Sequence, residues 1–226
     1  MFLPGTMSHV GRHFDLSLGD KPLRVVVVGQ EAKESRVTLD QRYIDVHDRT
    51  GLERRYYADK DHKGRNPHMR GTTSALRVIF GKDPGADFEG EWVHPLRGKP
   101  FHIFDGFALV NRLLCYAGPK KGVQARPTKT MLDHCRNHLA ATLSILKPTI
   151  LILQGGKAAS AINTILTRVT DDSGLAYEAR LGRQRMVVCA FSHPAAYGDL
   201  RWGDRPDAPY LTDVVVPTLR EAVRRS

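Results

Sequence analysis

Three short stretches carry residue types that do chemistry. Gly29-Gln30-Glu31-Ala32-Lys33-Glu34 supplies an acid, Asn111 an amide, and Ser192-His193-Pro194-Ala195-Ala196-Tyr197 an imidazole. A carboxylate orients and activates water. An amide offers a paired donor and acceptor to a planar polar edge. An imidazole stabilises a leaving anion. Gly29 permits tight backbone approach beside the acid. Taken singly, these are an ordinary turn acid, a capping Asn and a His fixed beside a Pro turn. Their arrival at one place would make them a site.

Aliphatic runs decide whether they arrive together. Leu23–Gly29, Thr149–Gln154 and Met186–Phe191 are continuous, apolar and rich in β-branched residues, as strands covered on both faces are. Phe107–Leu114 fits either a strand or a short helix, and the strand, ending near Asn111, is the favoured reading. Between them lie helical patterns. Thr130–Leu146 places Met131, Leu132, Cys135, Leu139, Leu143 and Leu146 mainly on one face, stopped by Lys147-Pro148. Ala158–Arg168 and Leu211–Arg225 are the other two. Strands alternating with helices predict a single α/β domain over residues 1–226, with a parallel sheet and ligands at the strands' carboxyl ends. The stretch Ile44–His68 is rich in charges, Gly, Asn and His, and reads as a basic surface insertion rather than core.

The chain has 226 residues and a net charge of +10, from 34 Lys and Arg against 24 Asp and Glu. A hydrophobic share of 41% excludes wholesale disorder. The longest aliphatic runs, Val25–Val28 and Ile150–Leu153, are far too short to span a membrane. The first residues lack a signal-peptide pattern, and three scattered cysteines make no disulfide framework, so a reducing cytoplasm is expected. The positive balance points to a polyanion, nucleic acid first. Pro119–Arg136 holds five basic residues and one acid, and reads as a loop tracking a phosphate backbone through Lys120, Lys121, Arg126 and Lys129.

VVVVGQEAKE, FALVNRLLCYAGP, DHCRNHLAATLSILKPTILILQGGKAASAI and FSHPAAYG occur in that order. In sequence, spacing and succession they resemble the uracil-DNA glycosylase superfamily, especially its iron–sulfur bacterial branch. That branch carries GEAPG, an ITNVVKCRP-like segment, a CRPFL-like helix, KP before an aliphatic strand and LG, then HPS. The resemblance spans roughly Arg24 to Trp202. It implies a four-stranded parallel sheet between helices, and hydrolysis of the N-glycosidic bond of a pyrimidine flipped out of DNA. Gln30 takes the second motif position, and Glu31 falls where another branch, with GQDPYH, has its water-activating Asp. Asn111 matches the residue that reads the pyrimidine edge, and His193 the His that hydrogen-bonds the departing base. Tyr43 is placed as the base-stacking aromatic. Tyr197 to Trp202 would enter the minor groove, with Leu200 or Arg201 the wedge.

The departures matter too. Ala32 replaces the motif Pro, Lys33 a pocket-shaping residue, and Ala195 the Ser of HPS. With the insertion, they suggest either uracil or a larger modified pyrimidine, such as a hypermodified cytosine of phage DNA excised in defence. A weak enzyme that traps uracil-containing DNA is the other alternative. Gly155-Gly156-Lys157 lacks the spacing of a phosphate loop. Its glycines are expected to allow close helix–sheet packing while Lys157 meets a DNA phosphate. Cys115 and Cys135 match two cluster cysteines of the branch, but its N-terminal CxxC is missing. His9 and His13 differ from it in type and spacing, and His134 and His138 read as flanking a helix face. No cofactor is expected, Cys115 and Cys135 being buried thiols, and the protein is expected to be monomeric.

Overall fold

The computed structural model describes residues 2–4, 8–31, 60–96, 98–117, 127–170, 174–203 and 205–226; at 2–4, 30–31 and 115–117 it describes the backbone alone. The expected strands form, some longer than their aliphatic runs. The central sheet contains β1 (His9–Val10), β2 (Val25–Glu31), β3 (Phe107–Leu113), β4 (Ile150–Gln154), β5 (Thr167–Arg168), β6 (Ala176–Leu181) and β7 (Gln184–Phe191). Their order is β5-β6-β7-β4-β2-β3-β1. The middle four, β7-β4-β2-β3, are parallel, as expected. β5 and β6 extend one side antiparallel, and β1 pairs antiparallel to β3 on the other.

Helices cover both faces, because each strand of the middle four alternates two sets of buried side chains. Val25, Val27, Phe107, Leu109, Ile150 and Ile152 pack under α1 (Pro67–Ile79) and α4 (Val216–Arg225). Val26, Val28, Ala108, Val110, Leu151 and Leu153 pack under α2 (Lys129–Leu146) and α3 (Gly156–Asn163). Helix α2 is capped by Thr128, whose Oγ1 accepts from the Met131 N–H, and stops at Lys147, which takes φ 46° before Pro148. It buries Met131, Cys135, Leu139 and Leu143 and leaves Leu132 exposed.

Four expectations need correction. Helix α3 ends at Asn163 rather than Arg168, since Thr167–Arg168 are drawn into the sheet opposite Ala179 and Arg180. The segment Leu211–Val215 winds as a π-helical turn, and α4 proper begins at Val216. Residues 129–136 of the basic stretch are helix rather than loop. The polar stretch ending at His68 does enter the core: His62 and Arg65 are buried, and Asn66-Pro67 starts α1, with Asn66 Oδ1 accepting from the Met69 N–H at 2.9 Å. Burial is possible because Arg65 forms a bidentate ion pair with Glu91, at 2.6 and 2.7 Å, and lies over the Phe104 ring. Helix α1 itself lies outside the expected elements.

Candidate active site

Strand register brings the sequence motifs together. Gly29 of β2 sits directly opposite Asn111 of β3, and Glu31 opposite Leu113. Gly29 and Asn111 continue the alternation that points Val27 and Leu109 toward α1, so both face that helix. A methyl group on Gly29 would lie 2.7 Å from Asn111 Oδ1 and 3.3 Å from the His68 ring. The missing side chain therefore leaves a notch in the sheet edge into which the amide and the imidazole close. Any other residue there would push them away.

His68 comes from the first turn of α1, and His193 from the loop after β7. Their rings stack with centroids 6.2 Å apart and 21° between planes. Helix α1 and the His193 loop are held together by glycine: a Cβ at Gly71 would meet Pro194 Cγ at 2.7 Å and Trp202 at 3.0 Å. The loop is tied at both ends. Trp202 Nε1 donates to the Ser192 carbonyl at 2.9 Å, and Ser192 Oγ donates to the Leu200 carbonyl at 2.6 Å. Trp202 is buried, which makes it an anchor of the loop, while Tyr197, Leu200 and Arg201 lie exposed on it.

The electrostatics leave both histidines neutral. Burial, then the neighbouring His193, lowers the His68 ring to about 4. Burial, then the Lys157 charge, lowers His193 below its ordinary value. The Ala195 N–H donates to His193 Nδ1 at 3.1 Å, so a neutral ring carries its proton on Nε2 and presents it as a donor. Lys157 stands exposed at the start of α3, within electrostatic reach of that ring. Gly155 takes φ +104°, a backbone state that favours glycine, whereas a Cβ on Gly156 meets nothing within 4 Å. The pair thus serves the turn into α3, and Gly156 serves no close helix–sheet packing.

The structure thus unites Gly29, Asn111 and His193 and adds His68, which sequence reasoning missed. The signal for it was Asn66-Pro67-His68-Met69, a capping residue and an N1 proline that put a ring on the first helical turn. The Gln30 and Glu31 backbones end β2 at this edge, while their side chains, together with Ala32, Tyr43, Lys120, Lys121 and Arg126, lie outside the description. Lys129 is exposed at the start of α2.

A family model described as the uracil DNA glycosylase superfamily matches residues 68–208, more than half of the chain. The chain belongs to that superfamily. The match opens at His68 and takes in Asn111 and His193, while the Gly29–Glu31 stretch precedes it. None of the curated proteins matches the chain. Superfamily membership accounts for a mixed α/β domain with parallel central strands between helices, and for DNA as the class of molecule acted on. No helix among the described residues is long and apolar enough to cross a membrane.

The branch's iron–sulfur cluster finds a poor donor set here. Cys135 is buried in α2, but His9 Nε2 is engaged with the Phe104 carbonyl at 2.8 Å, and His13 stacks on Phe101. His134 and His138 are exposed on α2. Cys115 belongs to the residues described by backbone alone.

Proposed function

We propose that the protein is a monofunctional DNA glycosylase, hydrolysing the N-glycosidic bond of a flipped-out uracil or modified pyrimidine and leaving an abasic site. The observation that carries this reading is the close approach of Asn111 and His68 to the side-chain-free Gly29 at the carboxyl edge of the parallel strands, with His193 stacked on His68. Asn111 reads the edge of the base with its donor and acceptor pair. His68 forms the wall against which the flipped base rests, the part assigned from sequence to Tyr43. As the C1′–N bond breaks, its electron pair leaves with the base, and the Nε2–H of His193 hydrogen-bonds the oxygen where that charge gathers. A neutral imidazole suits this role, since it donates without adding a cation that must be desolvated. Glu31 orients the water that adds to C1′ and takes its proton. No cofactor is required.

Around the site, Lys129 and Lys157 meet phosphates, and the exposed Tyr197, Leu200 and Arg201 enter the minor groove beside the extruded nucleotide. Lys120, Lys121 and Arg126 extend the same backbone grip. The reading includes a monomer that acts in the cytoplasm.

Release of free base from duplexes containing uracil or a modified pyrimidine, assayed side by side, tests the proposal. His193→Ala and Asn111→Ala are each expected to slow release by about a hundredfold or more. Wild-type protein that retains DNA yet liberates no base from any of them would make it a binder and end the glycosylase reading.

A further inference from the structure

Helix α1 is fastened to the sheet by an unusual buried residue. Gln154 is the last residue of β4, one position beyond the Leu153–Val28 pair and therefore beside Gly29. It continues the face of Ile150 and Ile152 under α1, where the neighbouring side chains are aliphatic. It is completely buried. Its Nε2 donates to Thr72 Oγ1 at 3.0 Å, and the Thr72 hydroxyl donates to the His68 carbonyl at 3.0 Å. Its Oε1 is buried with no hydrogen-bond partner among the described residues.

Stability does not explain this choice. An unmade acceptor in the interior costs free energy that a Leu of similar volume would not. What the amide supplies is direction: it is a hydrogen-bonded tie from the sheet edge at Gly29 to the turn of α1 that carries His68. The next residue is held from the other side, since Arg65 donates to Thr73 Oγ1 at 3.0 Å while pairing with Glu91. Glu91 is itself held by His102, whose Nδ1 accepts from the Phe104 N–H so that Nε2–H points at the carboxylate, 2.9 Å away. The start of α1 is thus fixed in rotation as well as in depth. That matters for a ring forming one wall of a notch, because displacement on the order of 1 Å costs up to a hundredfold in rate.

We propose that Gln154, acting through Thr72, is a positioning residue that sets the His68 ring against the Gly29–Asn111 notch. The inference rests on reading that notch as the base pocket. Gln154→Leu, Thr72→Val and Thr72→Ser test it, with three readouts on the full-length protein: thermal midpoint, NMR titration and shift of the His68 ring (assigned with His68→Gln), and kcat and KM for base release. Gln154→Leu is expected to melt no lower than wild type. In both Gln154→Leu and Thr72→Val the His68 titration should move by about a unit toward ordinary imidazole, and kcat should fall ten- to hundredfold. Thr72→Ser, which keeps the hydroxyl, should restore both. A His68 signal identical to wild type in Gln154→Leu and Thr72→Val would overturn the proposal, and so would a shifted ring with undiminished excision. Should wild-type protein release no base at all, the glycosylase reading fails, and the His68 signal alone then decides whether Gln154 sets the ring.

Discussion

Two neutral histidines make the protein acid-sensitive in a calculable way. His9 and His68 are both lowered from 6.5 to about 4, His9 mainly by burial and His68 by burial and then His193. In the unfolded chain each ring takes up a proton near pH 6.5, whereas in the native protein it does so only near 4. The stability they represent is therefore complete above pH 6.5 and is lost as pH falls toward 4. A shift of this size corresponds to about 3 kcal/mol per ring at its limit, lost at up to about 1.4 kcal/mol per pH unit for each. The His68 share is the smaller, since that residue keeps part of its contact with water. Unfolding free energies from urea titrations at pH 7.5, 6.5, 5.5 and 4.8 should change little down to pH 6.5 for wild type and then fall, by about a few kcal/mol in all. His9→Gln and His68→Gln should each flatten the curve between pH 6.5 and 4.8, His9→Gln more, while lowering stability at neutral pH. A wild-type free energy that is level across this range, or variants that keep the full slope, would refute the assignment of neutral buried rings. Glu91, held below the ordinary carboxylate range, adds its own loss only at lower pH.

Breaking the buried ion pair from one side should be costly. Glu91→Ala leaves Arg65 enclosed without its carboxylate and is expected to destabilise by about 3–5 kcal/mol in chemical denaturation, since burial opposes the charge and the His102 and Arg65 hydrogen bonds outweigh it. Gly71→Ala places a methyl group 2.7 Å from Pro194, so the His193 loop must give way; a loss of base release exceeding the loss of stability, read from kcat and a thermal melt, is the expected signature.

What could be read in advance was set by periodicity. The aliphatic runs at Val25–Val28, Ile150–Leu153 and Met186–Phe191 are short, continuous and rich in β-branched residues, as covered strands are, and parallel register then carries Gly29 opposite Asn111. Helix α1 escaped because residues 71–79 are buried in succession, Thr72, Thr73, Ser74 and Arg77 among them, so residue type does not mark which positions are core. Its start was hidden for the same reason. Arg65 and His62 look like solvent residues until Glu91, 26 positions after Arg65, supplies the partner that lets Arg65 be buried. His68 was lost with them. Gln154 was legible as a strand end but not as a tie, since its partner Thr72 lies 82 residues away.

The antiparallel additions to the sheet have a further consequence. The outermost strands, β1 and β5, are only two residues long. An open sheet edge is a row of unpaired amides and carbonyls on which another chain can add a strand, and the longer that row, the better the template. Among the described residues, β2, β4 and β7 each have a strand neighbour on both sides, whereas β1 covers β3 only at Ala108 and Leu109 and β5 covers β6 only at Ala179 and Arg180. The most β-prone segments of the sequence are thereby kept from self-association, and neither outer strand takes part in the notch where the chemistry is placed.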